Sequence, residues 1–295
     1  MKYQDVEIED TFAEAFEMWG SRLIITAATP GWAETAARVA TGLATSIIGC
    51  GCEAGVNQPL PPERTPDGRP GVPALFFTTS KEAMEAQLLT RVGQGVMTSP
   101  TSACFNGLNV RERVKVGSRL RYFGDGFQVS KYVEGRRLWR IPVMDGEFVV
   151  EEGMGVRPAV GGGNFFIMAE TQEAGLAAAE AAVAAMVQVP DAIMPFPGGI
   201  VRSGSKISSK YKGQHVSSNT PYCPTLRGQT QVELPEGVQA VFEIVVDGLD
   251  EGAVRKALQA GIPAACGEGI LRISAGNYGG KLGKYQYHLH KLVRG

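Results

Sequence analysis

The order of regular segments in the carboxyl-terminal half constrains the fold more than any other feature of this sequence. The stretch "GGNFFIMAETQEAGLAAAEAAVAAMV" runs from an apolar strand at about 164–169 into an alanine-rich helix, with a Thr171 cap and acidic Glu173 in the first turn. "AIMPF" at about 192–196 reads as a second strand, and a long Gly/Ser/Pro-rich loop follows. "AVFEIVVDG" (240–248) is a third strand, "DEGAVRKALQAG" a helix and "GILRISA" a fourth strand. The order βαβ-βαβ is the split βαβ, or ferredoxin-like, plan: an antiparallel sheet with helices on one face. Its second face then needs another covering.

The amino-terminal half repeats the pattern. "RLIITAATPGWAETAARVATGLATSII" gives an apolar strand, a Thr29-Pro30 helix start and an alanine-rich helix. "GVPALFFTTSKEAMEAQLLTRVGQGV" supplies a further strand, a Ser80 cap with Glu82 nearby, and a helix. "SRLRYFGDG", "RRLWRIPVM" and "GEFVVEEG" read as hairpin strands joined by glycine-containing turns. The expectation is an α+β chain of two duplicated ferredoxin-like lobes with antiparallel sheets and hairpin extensions, divided as residues 1–150 and 151–295.

Composition narrows the function. The chain has 295 residues with 29 basic and 30 acidic side chains, and no block of like charge marks a nucleic-acid surface or a polybasic membrane anchor. The amino terminus lacks a signal-peptide apolar region, and no apolar run approaches the roughly 20 residues of a membrane span. These features imply a cytoplasmic protein acting on small molecules, without nucleic acid or membrane. The five cysteines (Cys50, Cys52, Cys104, Cys223, Cys266) are odd in number and scattered, as buried thiols in a reducing compartment are.

The familiar chemical motifs fail one by one. "SAGNYGGKLG" (274–283) follows a strand, but a P-loop needs glycine where Ala275 stands and a hydroxyl where Leu282 stands. Its backbone N–H groups are still suited to a carbonyl or carboxylate. "GGGNFF" precedes a strand, whereas a dinucleotide fingerprint follows one, so it reads as a tight turn. His288 and His290 in "YQYHLH" share a face if that segment is a strand, yet only His215 remains elsewhere and Cys50-Gly-Cys52 lacks ligand spacing. No metal is expected. No G-x-S-x-G elbow is present, and Cys223 has no assignable base.

Two features carry chemistry. The loop "PFPGGIVRSGSKISSKYKG" is too long for a simple connector, and Lys206, Lys210 and Lys212 among its serines suit an anionic ligand tail. Glu243, in turn, sits in an apolar strand with Val241 and Val245 as its same-face neighbours. Lost hydration favours its neutral form, and a neutral carboxylic acid can donate a hydrogen bond; the alternative is a face open to solvent, with Glu243 merely wet.

The stretches "VEIEDTFAEAF" (6–16), "TPDGRPGV" (65–72), "YFGDGFQ" (122–128), "GGNFFIMAE" (162–170), "PFPGGIV" (195–201), "LPEGVQAVFEIVVDGL" (234–249) and "SAGNYGGKLGKYQYHLH" (274–290) together resemble formylmethanofuran:tetrahydromethanopterin formyltransferases. The resemblance spans nearly the whole chain and agrees with the duplicated lobes. It implies transfer of a formyl group between a methanofuran-type amine carrier and N5 of tetrahydromethanopterin, both as co-substrates, with no permanently bound cofactor or metal. Glu243 matches the glutamate proposed as catalytic in that family.

Both substrate types carry carboxylates and the pterin a phosphate, so two loops are the candidates for gripping them. Phe196, Gly198, Gly199, Ser205, Lys206 and Lys210 form one; Asn277, Tyr278, Gly279, Gly280 and Lys281 form the other. The near-neutral composition and the ending "KLVRG" look like the bacterial, methylotroph branch. That resemblance implies an oligomeric subunit of a formyltransferase/hydrolase complex, beside a metal-dependent amidohydrolase that releases formate. Here the exchange would unload the pterin. The alternative is a non-catalytic subunit that binds the carrier or braces the hydrolase.

Overall fold

A computed structural model describes residues 1–207, 209–214 and 216–294, so His215 lies outside the described residues. The chain divides into two units, one of residues 17–160 with 248–250, the other of residues 1–16, 161–247 and 251–295. The division by contacts thus falls near residue 160, and residues 1–16 group with the carboxyl-terminal half.

In the second unit the strands lie in the order Ile270–Ser274, Arg157–Ala169, Ala240–Gly248, Ala192–Ile193. Numbered along the chain this is 4-1-3-2, the order a split βαβ pair requires. Val6–Ile8 adds a further strand, parallel to Ile270–Ser274, with Arg272 opposite Glu7. The helices Gln172–Met186 and Glu251–Ala264 form the connections. Thr171 caps the first, its side chain accepting from the Ala174 N–H at 3.1 Å.

Glycines let these helices sit close. A Cβ on Gly175 would come within 2.8 Å of the Phe242 ring, and one on Gly163 within 2.9 Å of Val254. Phe242, Ile244 and Val246 therefore form the helix-covered face. By alternation Asn164, Phe166, Val241 and Glu243 occupy the other. That second face is covered by the segment between the strands at 192–193 and 240–248: Phe166, Met168 and Val238 are buried there against Tyr222, Leu234, Val241 and Leu271.

The first unit repeats the order, with Glu53–Val56, Gly71–Thr78, residues 17–26 of the strand Phe12–Thr26, and Ala103–Asn106 side by side. Thr29 and Ser80 cap the helices Pro30–Thr41 and Lys81–Arg91, accepting from the N–H groups of Trp32 and Ala83. Arg136–Val143 and Gly146–Glu151 form the expected hairpin, and Gly146–Glu151 runs parallel to Ala103–Asn106.

Three expectations are corrected. "SRLRYFGDG" is helical over Gly117–Leu120 and Arg121–Gly124, not a strand; a Cβ at Gly117 would collide with the Glu151 carbonyl, and Tyr122 and Phe123 stay exposed. The glycines of "GGGN" are no turn but lie inside the strand Arg157–Ala169, where Gly163 admits a helix rather than reversing the chain. His288 ends the strand Tyr285–His288, paired with Phe12 where the partner strand begins, and His290 falls in the helix Leu289–Arg294. The two histidines thus share no strand face.

The close approach at Gly163 is testable. Gly163→Ala is expected to lower unfolding free energy by about 1–2 kcal/mol through overpacking. Combining it with Val254→Ala should cost less than the two losses summed, by urea denaturation; strict additivity would mean the side chains do not meet.

Candidate active site

Glu243 lies in the middle of its strand, and its backbone is paired on the loop side as well. Val201 N–H donates to the Glu243 carbonyl at 2.7 Å, and Glu243 N–H donates to the Val201 carbonyl at 3.2 Å. This bridge brings the start of the glycine-rich loop onto the strand. A small pocket of about 50 Å³ results, lined by Phe166, Val201, Arg202, Ser203, Gly204, Asn219, Tyr222, Cys223, Val241 and Glu243.

Phe166, Val201, Tyr222 and Val241 give the pocket apolar walls. The Tyr222 and Phe166 rings pack at a tilt of 32° with centroids 4.4 Å apart, and burial together with the nearby Glu233 carboxylate pushes the Tyr222 phenol up. Burial likewise raises the Glu243 carboxyl above the ordinary carboxylate range, opposed by one hydrogen bond from Asn164. Asn164 Nδ2 donates to Glu243 Oε1 at 2.8 Å, while its Oδ1 accepts from Gly276 N–H at 2.9 Å. The other carboxyl oxygen, Oε2, is near Gly204, where a Cβ would lie 3.9 Å from it. The pocket thus holds a carboxyl group whose neutral form is favoured by burial, with Oε1 engaged by Asn164 and Oε2 beside Gly204.

Beyond Gly276 the chain forms a second arrangement. Glu14, 2% exposed, accepts from four backbone N–H groups: Tyr278 at 2.7 Å and Gly280 at 3.0 Å on one oxygen, Leu282 at 2.8 Å and Gly283 on the other. Burial alone would raise its pKa; the four donors reverse that and hold it below the usual carboxylate value. Gly279 and Gly280 both take positive φ to aim these donors inward.

Comparison with known proteins shows the family of the chain. The family model for formylmethanofuran-tetrahydromethanopterin formyltransferase matches residues 1–143, and that for the proximal lobe of the same family matches residues 146–292. The chain belongs to this formyltransferase family. It is 56% identical to the formylmethanofuran-tetrahydromethanopterin formyltransferase of Methylococcus capsulatus, over 98% of each chain. The corresponding enzyme of Methanosarcina barkeri superposes with a TM-score of 0.94 at 48% identity, covering 99% of this chain and 100% of that one. A chain of the formyltransferase/hydrolase complex from Methylorubrum extorquens, solved with methylofuran, gives 0.96 at 48% identity, covering 99% and 98%.

In this family member the residues singled out from sequence separate into distinct places. Glu243 lines the pocket, as does Cys223, which has no assignable base; the loop residues put forward for the substrates do not. Phe196 precedes the short turn Pro197–Gly199, in which Gly198 and Gly199 take positive φ, and a Cβ on Gly199 would meet Val183 of the neighbouring helix at 2.9 Å. Lys206 points inward, its Nζ donating to Thr220 Oγ1 at 2.9 Å, whereas Ser205 and Lys210 are exposed. Asn277 spends its amide on Thr11 Oγ1 and the Phe12 carbonyl. Tyr278, Gly279 and Lys281 are exposed, but the backbone donors of Tyr278 and Gly280 belong to Glu14. The suspected carboxylate cradle is real, and the carboxylate is the chain's own.

Sequence reasoning missed Asn164, Arg202, Ser203, Asn219 and Tyr222. Asn164 had a signal, an amide two residues before Phe166 in an apolar strand and so on the same face. Among the described residues no group of His, Cys, Asp and Glu is placed to hold a metal ion, and no helix is long and apolar enough to cross a membrane.

The Glu14 arrangement makes a stability prediction. Glu14→Gln turns an NH₂ toward backbone donors that need an acceptor, at an expected cost of about 2 kcal/mol or more at pH 7. Because the folded carboxyl titrates below the unfolded value of about 4.3, its contribution is complete above that pH and fades as pH falls further. Denaturant titrations should therefore show the gap between wild type and Glu14→Gln narrowing toward pH 3.

Proposed function

We infer that this chain transfers a formyl group between the amine of a methanofuran-type carrier and N5 of tetrahydromethanopterin, with Glu243 as the acid that stabilises the intermediate. The buried Glu243 carboxyl, with Oε1 held by Asn164 and Oε2 beside Gly204 in the pocket wall, is the observation that supports the catalytic assignment, and its burial favours the neutral form the role needs. Attack of the amine nitrogen on the formyl carbon gives a tetrahedral intermediate whose oxygen takes up negative charge. A hydroxyl already aimed at that oxygen stabilises it without solvent reorganisation, and one such donor is typically worth about 10²- to 10³-fold in rate. Expulsion of the departing amine, which takes up the proton lost by the attacking one, restores the carbonyl.

The pocket volume of about 50 Å³ supports this division of labour. That space is of the order of a one-carbon head group. The two reactants then meet at its mouth, where holding them in contact supplies much of the remaining acceleration. Both are co-substrates, and no permanently bound cofactor enters the scheme. Arg202 at the rim, with Lys210, Tyr278 and Lys281 on the exposed loops, is available to their carboxylate and phosphate groups.

The physiological setting we propose is an oligomeric cytoplasmic assembly like that from Methylorubrum extorquens, in which a metal-dependent amidohydrolase subunit releases formate and this chain unloads the pterin. The likeness to a chain of that complex supports it.

Purified protein mixed with formylated carrier and tetrahydromethanopterin, followed by absorbance of the formylated pterin, tests the activity. Glu243→Ala is expected to lose at least 10²-fold in kcat with KM for the pterin little changed. Glu243→Gln, which keeps a donor, should lose less. Equal rates in wild type and both variants would remove Glu243 from the chemistry, whereas no rate above background in any of the three would favour a scaffolding subunit.

A further inference from the structure

We propose that Asn164 is a positioning residue that fixes which oxygen of Glu243 carries the proton, holding the hydroxyl on Oε2 so that it faces the pocket. The inference deepens, and rests on, the reading of Glu243 as the acid.

The argument begins at Gly276. A backbone N–H can only donate, so the Asn164 side-chain atom 2.9 Å from it must be the amide oxygen. The NH₂ group is thereby committed to Glu243, 2.8 Å from Oε1. An NH₂ group has no lone pair to offer. An oxygen that receives its hydrogen bond must act as the acceptor, and in a neutral carboxylic acid that role belongs to the carbonyl oxygen. With Oε1 assigned as the carbonyl, the proton resides on Oε2, the oxygen beside Gly204 and the cavity.

The Asn164 amide is itself held from both sides. Gly276 opens the loop whose N–H groups wrap Glu14, and Asn277 ties the same loop to Thr11 and Phe12. A flip of the amide would set its NH₂ against the Gly276 N–H and leave both donors without an acceptor, at a cost of the order of a lost buried hydrogen bond for each. The chain of contacts from Glu14 through the loop to Asn164 and Glu243 therefore sets the direction of one proton.

The titratable or charged groups facing Glu243 across the pocket are Arg202, Tyr222 and Cys223; the adjacent strand contributes Asn164 and Phe166, neither of which ionises. Substituting Asn164 leaves those three groups in place.

Two variants separate positioning from mere packing. Asn164→Asp is nearly isosteric and still accepts from Gly276, but its second oxygen attracts the Glu243 proton to Oε1, away from the pocket. Asn164→Ala removes the constraint without redirecting the proton. In the formyl-transfer assay with formylated carrier and tetrahydromethanopterin, Asn164→Ala is expected to lose about 10- to 100-fold in kcat with KM little changed, and Asn164→Asp more than Asn164→Ala. A purely structural role requires the reverse order.

The alkaline limb of the pH–rate profile should move to higher pH in Asn164→Ala, because the lost hydrogen bond favoured the ionised form. Reversed order or an unmoved limb overturns the proposal. Should Asn164→Ala not fold, Asn164→Asp decides alone: an unchanged thermal midpoint with kcat lost at constant KM supports it, and a wild-type rate overturns it. Glu243→Ala run in parallel distinguishes the failures. If that variant keeps its rate, the acid assignment falls and this inference with it; if it is inactive while Asn164→Asp runs normally, only the role of Asn164 falls.

Discussion

A sheet with helices on one face must do something with the other. In the carboxyl-terminal unit the connection between Ala192–Ile193 and Ala240–Gly248 folds back over the bare face and buries Phe166 and Met168 beneath Tyr222, Leu234 and Val238. Without that covering Glu243 would be a wetted side chain on an exposed strand with an ordinary carboxylate pKa. With it, burial disfavours the charge, and the gap left between strand and cover is the pocket that Glu243 lines. Fold and chemistry thus share one cause, the desolvation of a β-sheet face.

The cover is anchored where it matters. Val201 exchanges two backbone hydrogen bonds with Glu243, so the segment that excludes water is registered on the residue it encloses. Gly199 holds the preceding turn against Val183, a placement that needs both its positive φ and its missing Cβ. Phe196, Gly198 and Gly199 thus set the path of the loop, and a few residues later Arg202, Ser203 and Gly204 line the pocket.

What could be read from the sequence follows from the range of the interactions involved. Thr29, Ser80 and Thr171 announce their helices through local bonds, and strand alternation places Phe242 and Glu243 on opposite faces, so the split βαβ order is legible. Alternation misleads at "SRLRYFGDG", where packing of Gly117 against the Glu151 carbonyl overrides the local pattern, and at "GGGN", where the reason for glycine lies on a helix some ninety residues further along the chain at Val254. The nest at 278–283 was visible as a donor array, but its occupant comes from the opposite end of the chain. Asn164 gains its meaning only from Gly276 and Glu243, each distant in sequence.

Glu14 has one more consequence. Arrays of converging backbone N–H groups on glycine-rich turns ordinarily recruit phosphate or sulfate from solution. Here a tethered carboxylate saturates the array permanently, at an effective concentration no dissolved anion can rival. The turn beside the pocket thus draws the anion that holds its shape from its own chain rather than from the medium.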